Sequence, residues 1–308
     1  LCAKVVIFIY FLFGRLVFYC VICHTITNKS NKMKYTINVR GQLVDLSSPM
    51  VMGILNATPD SFYSGSRKQT EAEIAQRANQ IIAEGGKMID VGAFSTRPGG
   101  AEVVSVEEET QRLKRALAIV RREQPDAIVS VDTYRPLVAR QCIEEFGADI
   151  INDVSEGGIT GIVGQKIHEE GDMFETVAAL GVPYILMSVQ STLKKMMNNF
   201  AAEVQRLRDL GAKDIILDPG YGFGKTLQQN YEILNEAERL LDLDLPILVG
   251  ISRKSMIYRL IGGDPTTSLN GTTVLNTISL MKGASILRVH DVREAVEVCQ
   301  IAAQCHNS

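Results

Sequence analysis

Two carboxylates and one amide close apolar runs in this chain: Asp132 after Val129-Ser130-Val131, Asn152 after Ile150-Ile151, and Asp218 after Ile216-Leu217. Gathered on one rim, such a set can bind the edge of a flat heterocycle bearing amino and oxo groups. Asp132 or Asp218 would accept from its N–H groups, while Asn152 would both accept and donate. Taken singly, either aspartate reads equally well as the cap of a following helix.

Cationic residues follow the same placement. The segment Ile251-Ser252-Arg253-Lys254-Ser255 follows the glycine-ended run at 248–250. A basic pair at a helix start works against the helix dipole, which favours anions there, so the pair points to a ligand. A solvated surface pair is the alternative. Arg288 and His290 close the last run and add two anion donors, although a packed or capping His290 fits the same position. Polar loops begin at Asn56 (residues 56–62) and at Ser95 (residues 95–100). They read as two lids carrying a metal ligand, Asn56, and an anion clamp, Arg97, or as ordinary Pro- and Gly-punctuated connections.

The glycine-rich stretch 220–226 (GYGFGKT) is not a phosphate loop. That motif needs a glycine five residues before Gly224, where Pro219 stands, and Lys225 occupies the third glycine position of a dinucleotide fingerprint. What remains is a flexible strand-to-helix turn with one aromatic expected to be exposed, Phe223, or a purely structural turn.

The elements that must position these groups repeat eight times. Short apolar runs end at Asn56, Gly92, Asp132, Asp153, Met187, Asp218, Gly250 and His290, each followed by turn residues and a helical pattern. Helical periodicity covers 71–84, 105–123, 135–146, 173–180, 196–210, 227–241, a crossover at 254–282, and 292–304. Ser105 before Glu107-Glu108-Glu109 marks a helix start. Residues 36–39 and 42–46 alternate in polarity around Arg40-Gly41, as a hairpin does. The expected fold is therefore a (β/α)8 TIM barrel with an N-terminal β-hairpin capping its bottom. Its strand C-termini would bring the polar residues to one face. A doubly wound open sheet would favour a glycine-rich turn after the first strand, and the turn after Asn56 has none.

Bulk properties agree. At 308 residues and 46% hydrophobic composition, the chain can bury one large core. Net charge is −3, and the first 32 residues hold Lys4, Arg15, Lys29 and Lys32 without an acid, leaving the remainder near −7. That argues against a nucleic-acid-binding surface. Of the six cysteines, Cys142, Cys299 and Cys305 sit in or just beyond helical patterns without paired metal spacing, which points to a reducing, cytoplasmic setting.

Residues 1–32 stand apart. Residues 5–23 are nearly all apolar and long enough for a membrane helix, with Arg15 costly at mid-span. The segment is expected to be an extension foreign to the native protein, from an over-extended reading frame ahead of Met33, with a membrane anchor as the alternative. Cys20-Val21-Ile22-Cys23-His24 matches a haem-attachment spacing, but 32 residues cannot supply a haem pocket. The working division is 1–32 and a catalytic domain at 33–308.

Seven segments now carry a resemblance. LNATPDSF at 55–62, STRPG at 95–99, SVDT at 130–133, INDV at 151–154, DPGYGFGK at 218–225, ISRKS at 251–255 and RVHDV at 288–292 occur in order at run ends. Residues 33–308 thereby closely resemble the dihydropteroate synthase family. The resemblance implies condensation of 6-hydroxymethyl-7,8-dihydropterin diphosphate with 4-aminobenzoate in folate biosynthesis, and a sulfonamide target. It implies that Asp132, Asn152, Met187, Asp218, Lys254 and Arg288 hold the pterin. Asn56, Thr96, Arg97, Arg288 and His290 would face the diphosphate, with Asn56 ligating Mg²⁺, and Pro98, Phe223 and Ser255 would shape the aminobenzoate slot. Catalysis would rest on Asp132, Arg97, Lys254 and Arg288, in a cytoplasmic homodimer without a membrane unless residues 1–32 provide one.

Departures from the family pattern fall at Phe94, where glutamate is common, at Met187-Ser188 in place of Met-His, at Ser191-Thr192-Leu193, and in the long connection at 156–172. Two other readings stay open: a pterin-dependent methyltransferase with a corrinoid partner, and a pterin-binding protein without turnover. The segments at 252–255 and 95–99 speak against the methyltransferase, and retention of every charged site residue speaks against the second.

Overall fold

The computed structural model describes residues 6–12, 15–21, 35–57, 71–93, 104–157 and 171–307. The chain divides into two compact units, residues 1–33 and 34–308. In the first, β1 (Val6–Leu12) and β2 (Arg15–Val21) pair antiparallel, from Val6 opposite Val21 to Leu12 opposite Arg15. The apolar stretch is therefore strand and not the membrane helix of the alternative reading. Its Val, Ile, Phe and Tyr content favours the pleated conformation. Among the described residues no helix is long and apolar enough to cross a membrane.

The second unit opens with the expected hairpin, β3 (Thr36–Val39) and β4 (Gln42–Asp45). Arg40 and Gly41 both take left-handed φ, 52° and 79°, the geometry that turns two twisted strands back on each other. Eight parallel strands follow. They are β5 (Met50–Asn56), β6 (Met88–Gly92), β7 (Ile128–Asp132), β8 (Ile150–Asp153), β9 (Tyr184–Met187), β10 (Ile215–Asp218), β11 (Leu248–Val249) and β12 (Ile286–Val289). The sheet runs β10-β9-β8-β7-β6-β5-β12-β11, and the bridge Leu217–Ile247 closes it into a barrel.

Strand alternation sorts the side chains. Outward residues such as Ile89, Val91, Val131 and Leu217 pack against the helices in one core. Inward residues at the strand starts, among them Met52, Met88, Ile150, Ile216 and Ile286, form a second core with Ile37, Val39 and Leu46 of the hairpin. The hairpin thus plugs the bottom of the barrel. Two residues further along β6, β8, β10 and β12, the same inward phase delivers Asp90, Asn152, Asp218 and Arg288 to the top.

The outer ring is α1 (Glu71–Ala83), α2 (Val106–Glu123), α3 (Pro136–Glu144), α4 (Met173–Leu180), α5 (Leu193–Asp209), α6 (Leu227–Asn235), α7 (Ser255–Ile261), α8 (Leu269–Met281) and α9 (Val292–Asn307). Ser105 caps α2, accepting from Glu108 N at 3.1 Å, with three glutamates in the first turn as the sequence suggests. The seventh crossover is broken in two, because Gly262 and Gly263 take φ of 82° and 98° and Pro265 cannot continue α7. The helix expected over 227–241 ends at Asn235 and continues as a 3-10 turn, Ala237–Leu243.

Candidate active site

At the top of the barrel Arg288 joins two neighbouring strands. Its Nε donates to Asp90 Oδ2 at 2.6 Å and its Nη2 to Asp132 Oδ2 at 2.7 Å. Asn152 Nδ2 donates to the same Asp90 oxygen at 3.1 Å. Asp90 is fully buried, on the inward phase of β6 opposite Ser130 of β7. The amide of Asn152 is therefore oriented: its N–H points at Asp90, and Oδ1 is left buried without a partner, facing inward as an acceptor. With one amide hydrogen engaged by Asp90, Asn152 keeps the unpartnered Oδ1 as an acceptor and a second N–H as a donor.

Across the mouth, Asp218 ends β10 and accepts from Gly220 N at 2.7 Å. Gly220 has φ 63°, and a Cβ there would lie 2.2 Å from Ser188 O, so only glycine fits. Lys225 braces the turn, donating from Nζ to Ser188 O and Gly220 O at 2.9 Å and to Phe223 O at 3.1 Å. Lys254 reaches over the same turn to Tyr221 O at 2.5 Å, with its Nζ 4.4 Å from the centre of the Phe223 ring. Gly250 separates Lys254 from Arg288: a Cβ there would stand 3.9 Å from Arg288 and 4.0 Å from Lys254 Nζ. Met187 lies fully buried at the end of β9.

The basic pair splits. Arg253, at φ 56°, turns away from the mouth and binds Asp291 with two nitrogens, at 2.9 and 2.7 Å, and the carbonyls of Pro265 and Thr266. It is structural, while Lys254 and the half-buried Ser255 start α7 at the rim. Ser252 holds His290 twice, accepting from the backbone N at 3.1 Å and meeting Nδ1 at 3.2 Å. Asn56 is exposed at the end of β5. Thr96, Arg97 and Pro98, together with Phe94 and most of the 156–172 connection, lie outside the described residues.

Burial sets the charge states. It pushes the Asp132 carboxyl up to about 7, against the pull of Arg288 and with the push of Asp90. Asp218 is raised by burial too, opposed by Lys254 and the Gly220 N–H. Lys254 falls to about 7 through burial, with Asp218 opposing and Arg288 adding to the fall. His290 falls to about 4, by burial and then by Arg288, so near neutral pH it is an uncharged imidazole and not a cationic anion donor. Arg288 stays charged: burial works against it, but Asp90 and Asp132 more than offset that. A mouth lined by poised carboxylates and cations suits a polar heterocycle carrying an anionic group.

Comparison with known proteins agrees with this geometry. The family described as pterin binding enzyme matches residues 52–290. The dihydropteroate synthase of Escherichia coli strain K12 is 39% identical over 277 residues, 85% of this chain and 93% of its own. The chain belongs to the pterin-binding enzyme family. Among solved structures, the Yersinia pestis dihydropteroate synthase in complex with a sulfonamide drug superimposes with TM-score 0.77 at 35% identity, covering 89% of this chain and all of that one. The Xanthomonas albilineans dihydropteroate synthase with 4-aminobenzoic acid gives TM-score 0.79 at 30% identity, covering 89% and 99%.

One residue of this pterin-binding enzyme's mouth was missed from the sequence. Asp90 sits mid-run between Ile89 and Val91, where it reads as part of a strand and outside the matching segments. The available signal was its phase: Met88, Asp90 and Gly92 face inward together, and a carboxylate inside a barrel requires a cationic or N–H partner.

Proposed function

We propose that this enzyme is a dihydropteroate synthase, condensing 6-hydroxymethyl-7,8-dihydropterin diphosphate with 4-aminobenzoate to 7,8-dihydropteroate and pyrophosphate. The observation that carries the reading is the Asp90–Arg288–Asp132 triad with the oriented Asn152 amide, facing Asp218 and Lys254 at one barrel mouth. The carboxylates and the Asn152 oxygen accept from the pterin's amino and ring N–H groups, and Lys254 donates to its oxo group. Met187 floors the ring, and Arg288 covers it.

Cleavage of the carbon–oxygen bond leaves positive charge on the pterin methylene and negative charge on pyrophosphate. Asp132 stabilises the first. Arg288, Arg97 and Thr96, with the neutral His290 as an N–H donor, stabilise the second. The aniline nitrogen, seated among Pro98, Phe223 and Ser255, attacks the methylene, forming the C–N bond and losing its proton to solvent. No strong general base is required.

Asn56 offers a single oxygen at the rim, and among the described residues no three His, Cys, Asp or Glu side chains group to hold a metal. Such a donor set fits Mg²⁺ held mainly by diphosphate and water. Bound there, Mg²⁺ would supply charge neutralisation for the departing pyrophosphate.

Exposed Leu260 and Ile261 of α7 and Val274, Ile278 and Met281 of α8 support a homodimer through these helices. Free Cys142, Cys299 and Cys305 support a cytoplasmic setting, and residues 1–32 are read as separate from the catalytic domain. A coupled pyrophosphate-release assay tests the activity: release should require both substrates. Methyl transfer without pyrophosphate, or tight pterin binding without product, would favour the methyltransferase or the non-catalytic reading.

A further inference from the structure

The departure Met187-Ser188 at the end of β9 is built into a buried polar network. Ser188 is fully buried and tied three ways. Its N–H donates to Asp218 O at 2.9 Å, its carbonyl accepts from Lys225 Nζ at 2.9 Å, and its hydroxyl donates to Glu156 Oε1 at 3.0 Å. Glu156 also accepts from Gln190 Nε2, at 3.2 Å on Oε2 and 3.4 Å on Oε1. The Gln190 backbone N–H closes the loop on Ser188 Oγ at 3.2 Å. Glu156 is itself fully buried, and its φ of 55° is a conformation that glycine adopts freely and a glutamate does not. A strained, buried glutamate persists where its carboxylate does something that glycine cannot.

We propose that Glu156 is a positioning residue for the second substrate: by holding Ser188 and Gln190 it locks the end of β9, and through Ser188 it sets the Lys225-braced turn 219–224 that presents Phe223. The inference rests on the dihydropteroate synthase reading, in which Phe223 lines the aminobenzoate slot. Glu156 touches neither substrate and acts only through this relay.

Charge reinforces the contacts. Lys225 donates three hydrogen bonds to loop carbonyls, which needs all three ammonium hydrogens. Burial pulls this amine down, and Asp218 and Glu156 oppose the fall, leaving it at about 8. Lys254 faces it as a like charge, and Glu203 is a neighbouring carboxyl of Glu156. Removing the Glu156 charge loosens both ends of the relay.

The test is a set of variants in the full chain, with steady-state kinetics for 4-aminobenzoate and calorimetric binding of pterin diphosphate. Glu156→Gln keeps the shape and removes the charge. Its KM for aminobenzoate should rise about tenfold, as small misplacements of a substrate-facing group do. Pterin affinity should stay within about twofold. Ser188→Ala, a milder change that leaves the glutamate in place, should raise the same KM less. The double variant should be no worse than Glu156→Gln alone, because both act on one path. Equal losses for both substrates, an unchanged aminobenzoate KM, or additive effects of the two substitutions would overturn the proposal while the parent enzyme turns over normally. A parent enzyme inert with both substrates would instead remove the activity reading and this inference together.

Discussion

Asp90 and Arg288, separated by 198 residues in sequence, meet at 2.6 Å inside the barrel, and the same Asp90 oxygen fixes the amide of Asn152. One buried carboxylate thereby orients two of the groups that the proposed function assigns to the pterin. Asp90→Ala should leave the guanidinium with Asp132 alone and free the amide to rotate. Binding of pterin diphosphate should weaken by about 100-fold, equivalent to about 2.7 kcal/mol. Asp90→Asn, which keeps one acceptor, should fall between the two. Isothermal titration measures it, and wild-type affinity in Asp90→Ala would refute the orienting role.

The pH dependence of kcat/KM for pterin diphosphate follows from two groups near neutrality. Asp132, raised to about 7, must lose its proton to serve the pterin and the developing cation, so activity falls as pH drops below that value. Lys254, lowered to about 7, must keep its proton to donate, so activity falls as pH rises above it. The profile should be a narrow bell centred near neutrality. His290, lowered to about 4, adds no limb in this window. Lys254→Arg, which cannot deprotonate, should move the basic limb upward toward about 8, where Lys225 titrates, at some cost in rate. An unchanged basic limb in that variant would show that Lys254 does not set it.

Much of this site was visible in the sequence because strand ends announce themselves. Polar residues such as Asp132, Asn152 and Asp218 interrupt apolar runs where a buried strand should continue. Polar ends on five of the eight runs, at Asn56, Asp132, Asp153, Asp218 and His290, imply one rim. The hairpin was equally legible, since Arg40-Gly41 between alternating runs leaves few other conformations. What escaped depends on neighbours that sequence does not order. Asp90 acquires its role from Arg288 and Asn152 on other strands. The splitting of Arg253 from Lys254 follows from one left-handed φ. The apolar N-terminal stretch defeats periodicity, because short runs rich in β-branched and aromatic residues read as helix or strand alike.

Glu203 of α5 provides a stability prediction. It is buried, its Oε2 has no hydrogen-bond partner, and burial, with Glu156 and Asp153 adding, raises its carboxyl to about 8. A raised carboxyl favours the fold when protonated. Its contribution is fully present below about 4.5, the ordinary value, and is lost as pH climbs to about 8. Glu203→Gln removes that liability. The variant's Tm should exceed the parent's at pH 8, and the gap should close at pH 4. A gap independent of pH in thermal scans would place the effect in packing and not in charge.

The last prediction concerns the face formed by α7 and α8. Ile261 and Met281 are more than half exposed, at 61% and 55%, and Leu260 lies beside them at 58%. Large apolar side chains at that exposure are costly to leave in water together, at roughly 25 cal/mol per Å². A second copy of the chain would cover them across a two-fold axis, where the same patch serves both partners. Ile261→Glu combined with Met281→Glu would then set like charges against each other in an apolar contact. Light scattering coupled to size exclusion should find the parent at twice the chain mass and the double variant at the chain mass. The barrel mouth is built within one chain, so pyrophosphate release per chain should fall by no more than about twofold. A parent that elutes as a monomer, or a double variant that stays dimeric, would move the subunit contact away from these helices.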